Sequence, residues 1–294
     1  MLKFVLFLIS FSALAQEVNV KVLSRIKHSH FDLGIGSQVE LDFKTSRQIK
    51  KAVFLGRMIN QDGETIEFLF LDEVKTRIMM FDPDNVSGFR KSTSQPIISP
   101  IDQVGSTCTA YGFFHFWEQM YEAGFKGNAE LASTMESDRR RMQFLEEAID
   151  LYYIQNKFNI TSHMKNYGKR YGFKCKNNPF KDPSLAADFI FKTTSEGMPV
   201  LIDFNIGSEM VASSYEINDY ETPVGRDPRL WIPRRVGERT SSGHVIVAAA
   251  AFISKGRKKV LVLDSNWTEP RVWDLKKYVS SRAAVKEMGF HTCN

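Results

Sequence analysis

Across 294 residues the chain carries only three cysteines, and no stretch stays apolar for long. The longest apolar run, Phe4 to Phe11 with its flanks, covers about 12 residues where a membrane-spanning helix needs about 20, so no transmembrane segment is expected. No zinc-type spacing of cysteine and histidine occurs. His28 and His30 lie close together but have no thiol or acidic cluster beside them, and His163 and His291 have no evident partner, so neither a metal centre nor an organic cofactor is expected. Internal repeats and low-complexity tracts are missing too, which argues against a solenoid or a largely disordered chain. The basic runs Arg139-Arg140-Arg141, Arg234-Arg235 and Arg257-Lys258-Lys259 are short and lie in mixed sequence. Nucleic acid is therefore not an expected partner. The net charge of +5 reads as a solvated basic face that tolerates an anionic cell envelope.

What is present describes a folded chain. A hydrophobic share of 43%, a charged share of 25% and 23 phenylalanines provide for a sizeable core, in one large domain or in a larger and a smaller one. Lys3, the apolar run and Ala13-Leu14-Ala15 before Gln16 have the form of a secretory signal peptide over residues 1–15. The expected location is accordingly periplasmic or extracellular. An exported chain with three cysteines has one left over after a single pair. If Cys108 acts as a free thiol, Cys175 and Cys293 are the candidate disulfide; two separate reduced thiols are the alternative.

Residues 16–90 read as a small all-β domain. Its strands are Val18 to Val22, Ser37 to Phe43, Lys51 to Asn60, Thr65 to Asp72 and Thr76 to Phe81, with Asp62-Gly63 the clearest hairpin signal. Their rhythm resembles an SH3-like barrel. Residues 91–100, rich in Ser, Thr and Pro, read as a linker. The region 101–294 reads as an α+β domain. Helices are expected over Thr107 to Ala123, Glu136 to Tyr153 and Ser184 to Glu196, and strands over Pro199 to Ile206, Gly243 to Phe252, Val260 to Asp264 and Val272 to Leu275. Lys165 to Pro179 reads as a turn-rich connection with one short strand, and Gly207 to Ser242 as a long excursion.

Chemistry concentrates at Cys108, where a Gly/Ser loop meets a strongly apolar helix. A thiol there faces the positive end of the helix, which favours the thiolate. His244 enters an apolar strand and Asp264 ends the next one. Thiolate attack on a carbonyl needs a nucleophile, a base, a group orienting that base and donors for the developing oxyanion. Cys108, His244 and Asp264 are candidates for the first three. The backbone N-H of Cys108 and the side-chain amide of Gln103 are candidates for the last. Asn266 is the alternative orienting residue, and Trp267 is a candidate for lining a cleft. His115, two turns into the helix, reads as a packing or surface residue.

At these residues, over roughly Pro96 to Trp273, the chain resembles the papain-like cysteine peptidases. Gln103-Val104-Gly105-Ser106-Thr107-Cys108-Thr109-Ala110-Tyr111 is similar to the loop that opens that family's central helix, one residue shorter between glutamine and cysteine. His244 follows Cys108 by 136 positions, within the family's range, and Asp264-Ser265-Asn266-Trp267 stands where an Asn-Ser-Trp run is common. Thr109 and Gly105 depart from the family's usual tryptophan and cysteine. The resemblance implies a central helix packed on an antiparallel sheet, and hydrolysis of peptide bonds through a thioester. A transglutaminase-like or cell-wall amide-hydrolysing enzyme with the same triad is an alternative, and a non-catalytic secreted binding protein is one of another class. The N-terminal β region differs from the helical propeptide of papain, so it is open whether it inhibits or binds substrate.

Overall fold

The computed structural model describes residues 16–27, 31–153, 159–212, 216–219, 229–233, 243–279 and 282–294. The expected signal peptide, His28 and His30, and much of the excursion between Gly207 and Ser242 lie outside the described residues. The architecture is mixed α+β, with two sheets.

The first sheet is a meander of antiparallel strands. β1 (Val18–Ser24), β2 (Gln38–Phe43), β3 (Gln48–Ile59), β4 (Thr65–Asp72) and β5 (Arg77–Phe81) pair in sequence order. They match the expected strands to within a few residues. At the Asp62-Gly63 turn, Asn60 Oδ1 accepts from the backbone N-H of Asp62 and of Glu64, and Gly63 takes a φ of +77°. β6 (Val86–Ser87) runs parallel to β1, and β7 (Pro96–Ile98) runs parallel to the second half of β3. The pairings form an open path rather than a closed barrel among the described residues.

Strands β3 to β5 are apolar on both faces, and alternate side chains enter different cores. Phe54, Phe68, Phe70, Met79 and Phe81 fill one core with Val39, Leu41 and Phe43. Val53, Leu55, Leu69, Leu71, Ile78 and Met80 face the other way, into the same cluster as Phe114, Trp117, Val247 and Leu261 from the second half of the chain. Residues 91–100 are therefore not a solvated linker. Ser94 to Ile98 are buried, β7 extends the first sheet, and the N-H of Ile98 donates to Gln119 Oε1 at 3.1 Å.

The second half opens with α1 (Cys108–Glu122), α2 (Ala129–Met135), α3 (Asp138–Tyr153) and α4 (Ile160–Tyr171). β8 (Cys175–Asn177) and α5 (Pro183–Ser195) follow. Next come β9 (Val200–Ala212), β10 (Glu216–Asp219), β11 (Arg229–Pro233), β12 (Gly243–Ser254), β13 (Arg257–Leu263) and β14 (Arg271–Asp274), then α6 (Leu275–Tyr278), α7 (Arg282–Glu287) and β15 (Gly289–Cys293). The second sheet runs β14-β13-β12-β9-β15-β8, with β11 also on β9, while β10 crosses to pair with β5 of the first sheet. Every residue of β12 from His244 to Phe252 is buried because α1 packs on one face of this sheet and α5 on the other.

One expectation is corrected here, and one element is new. Lys165 to Tyr171 belongs to α4 instead of a turn-rich connection, and β15 was not anticipated. Cys175 and Cys293 form a disulfide, at directly paired positions of β8 and β15. Gly168 explains the misread helix: a Cβ there would lie 2.3 Å from Cys175 Sγ, so the residue that looks like a turn is where the disulfide packs on α4.

Candidate active site

Cys108 is the first residue of α1, a helix apolar on nearly every side and so drawn into the interior. The first-turn N-H groups of such a helix, that of Cys108 included, have no intrahelical acceptor. Entry to the helix is fixed by Thr107, whose hydroxyl donates to the Val104 carbonyl at 2.7 Å. One turn later Gly112 faces Val245 of β12. A Cβ at Gly112 would lie 2.6 Å from Val245 Cγ1 and 3.3 Å from its carbonyl oxygen, so only glycine lets helix and strand approach this closely. That approach brings Cys108 Sγ within 3.7 Å of the carbonyl of Gly243, the residue before His244. Gly112 is the site residue that sequence reasoning missed. Its signal was a glycine within an otherwise bulky helix, one turn after the cysteine.

His244 is 4% exposed. Its Nε2 lies 3.0 Å from Asp264 Oδ1, so Nδ1 is the ring nitrogen not held by the carboxylate. Asp264, 2% exposed at the end of β13, also accepts from the backbone N-H of Asn266 at 3.0 Å and from Asn266 Nδ2 at 3.1 Å. Asn266 Nδ2 stands 3.4 Å from His244 Nε2. Asp264 thus makes the closer contact to the imidazole, and Asn266 clamps Asp264.

The thiol and the imidazole are shifted in opposite directions. Burial alone pushes the Cys108 thiol up, but the hydrogen bond and charge of His244, with contributions from the Val245 backbone and the Thr109 side chain, outweigh it and hold the pKa below the ordinary thiol value. Burial alone pushes His244 down, yet the charge and hydrogen bond of Asp264, joined by Cys108, raise it to about 10. Thiolate and imidazolium therefore stabilise each other.

Gln103 is brought to the same loop cluster. Its backbone N-H donates to the Ser265 carbonyl at 2.8 Å, its Oε1 accepts from Ser265 Oγ at 2.7 Å, and its Nε2 donates to the Gly105 carbonyl at 2.8 Å. One amide hydrogen is thus engaged within the loop. Trp267 is half-buried, with the Arg271 guanidinium 4.4 Å from its ring centroid, so one face of the ring is covered. His115 is a packing residue. Buried in α1, it accepts the Ile101 N-H at Nε2 (3.1 Å) and meets Glu118 through Nδ1 (2.9 Å), which pins the segment leading to Gln103.

Among the described residues no group of three or more His, Cys, Asp or Glu side chains is arranged to hold a metal ion, and no helix is long and apolar enough to cross a membrane. No model of a known protein family matches the chain, and no curated protein is significantly similar to it.

Proposed function

We propose that the protein is an exported thiol peptidase with a divergent papain-like catalytic half, acting through Cys108, His244 and Asp264. The observation that carries this reading is the buried Cys-His-Asp series, in which a helix-start thiol, an imidazole 3.0 Å from a carboxylate, and opposed pKa shifts all favour the thiolate. The Cys108 thiolate attacks the scissile carbonyl. The imidazolium gives its proton to the leaving amine as the C–N bond breaks, leaving a thioester on Cys108. Neutral His244 then takes a proton from water, whose oxygen attacks the thioester, and the carboxylic acid product leaves as the thiol is restored. The N-H of Cys108 and the amide of Gln103 serve the oxyanion, a donor of this kind being worth roughly 3 kcal/mol in the transition state.

The test is hydrolysis of an unfolded protein substrate together with labelling by iodoacetamide. Cys108→Ala should retain the native circular dichroism spectrum and lose both, with turnover falling by about three orders of magnitude or more. Turnover that survives the substitution would refute the assignment. New N-termini identify a peptidase, whereas incorporation of an added amine identifies the transglutaminase-like alternative.

A further inference from the structure

A second His–Asp pair stands on the second sheet, on the face that α1 covers. Asp203 of β9 pairs directly with Val245 on one side and with Gly289 of β15 on the other. Directly paired residues present their side chains to the same face of a sheet, and Val245 faces α1 at Gly112, one turn from Cys108. Asp203 therefore lies on the α1 face, one strand from Val245, or about 5 Å across the sheet. It is also at the strand end that carries the thiol, since Cys108 Sγ contacts the Gly243 carbonyl and Gly243 pairs with Asn205.

The carboxylate is held in a prepared position. Asp203 Oδ2 lies 2.6 Å from Nε2 of His291, whose side chain is 1% exposed. The other ring nitrogen of His291, Nδ1, is buried without a hydrogen-bond partner, so Asp203 is what anchors the imidazole. Gly289 leaves room for the pair. A Cβ there would lie 2.0 Å from Asp203 Oδ2 and 2.7 Å from His291 Nε2. Yet the Asp203 side chain is 33% exposed, so a carboxylate fixed through one oxygen presents the rest of itself to solvent. Asp264, at the same end of the sheet, is buried and committed to His244 and Asn266, and Glu287 accepts from Asn205 Nδ2 at 3.2 Å.

We propose that Asp203, oriented by His291, is a specificity-determining residue that receives a positively charged side chain, lysine or arginine, of a peptide substrate bound across Cys108. The inference rests on the thiol-peptidase reading and names its substrate class. A fixed, half-buried carboxylate gives a cation a charge-assisted hydrogen bond with little reorganisation, enough for roughly tenfold discrimination over an uncharged side chain of similar length.

Matched tripeptidyl chloromethyl ketones, carrying lysine, norleucine or glutamate at each of the three positions in turn, test this through the rate of Cys108 modification. In the native protein lysine should exceed norleucine by about tenfold at one position, with glutamate slowest there. Asp203→Asn should bring that ratio near one, while Asp203→Glu and substitution of the exposed Asp102 should keep it. A ratio near one at every position in the native protein, or one that Asp203→Asn does not change, overturns the inference while leaving the thiol reading intact. Failure of Cys108 to react with any of these compounds or with iodoacetamide overturns both. If Asp203→Asn does not fold, a ratio near one at every position in the native protein still overturns the inference, and Asp203→Ser takes its place in assigning a preference to this carboxylate.

Discussion

At the residue scale, the thiol and imidazole titrate in opposite directions from their ordinary values, which fixes the sign of the pH dependence. Cys108 is held low by His244 against the effect of burial, so alkylation by iodoacetamide should reach its plateau at a pH below that of a free thiol. His244 is raised to about 10, chiefly by Asp264, so on the proposed mechanism, in which the imidazolium is the acid, turnover should fall as pH rises through about 10. His244→Ala should move the alkylation midpoint upward; an unmoved midpoint would mean the pair does not interact. Asp264→Asn removes the negative charge that offsets burial of the imidazolium, and should bring the basic limb of the pH–rate profile to lower pH. Asn266→Ala should have the smaller effect, because Asn266 touches the imidazole at 3.4 Å and acts chiefly by clamping Asp264. The cysteine, histidine and acid were legible in the sequence because each sits at an element boundary that local pattern reveals: a helix start, a strand entry and a strand end. The division of labour between Asp264 and Asn266 was not, since both occupy one turn and only side-chain geometry separates them.

At the element scale, the site depends on how closely α1 approaches β12. Gly112→Val would force branched atoms against Val245 and its carbonyl, and overpacking of this kind costs about 1–3 kcal/mol. The expected outcome is a lower melting temperature together with an alkylation midpoint shifted toward that of a free thiol, since the helix carrying Cys108 moves away from His244. A fall in stability with an unchanged midpoint would show that the approach is structural only. Other elements follow from distant pairing and could not be read locally. β15 is five residues, GFHTC, that become a strand because β9 and β8 offer edges on either side of it. α4 hid behind Gly168 and Gly172; the second, with φ +85°, does end the helix, whereas the first is a helical position emptied for the disulfide. That bond ties β15, and with it His291, to the middle of the chain across 118 positions. Cys293→Ser should therefore cost about 2–5 kcal/mol in chemical denaturation.

At the scale of the whole molecule, the β region of residues 16–90 is built into the same core as the helix that carries the thiol. Composition and strand rhythm locate its strands, but they do not reveal that strands β3 to β5 are apolar on both faces because the second face belongs to α1 and the second sheet. Six side chains on that face, Val53, Leu55, Leu69, Leu71, Ile78 and Met80, are at most 2% exposed. Leaving side chains of this size exposed costs about 1.5–3 kcal/mol each, and their loss as partners would uncover a matching apolar area on α1 and β12. The total rivals the whole stability of an ordinary domain, about 5–15 kcal/mol. Reciprocally, β10 comes from the second half and completes the edge of the first sheet at β5. A β region that merely blocked the cleft would be released by one cut; a β region that completes the core would not. A protease site engineered at the helical turn Lys91–Thr93 decides between them. After cleavage the two pieces should elute together on gel filtration, separate only in denaturant, and keep the Cys108 alkylation rate of the intact chain. A second chain expressed from Pro96 onward should be insoluble or aggregated. If that shorter chain instead proves monomeric and reactive, the first sheet is a removable domain and the shared core contributes little to holding the site.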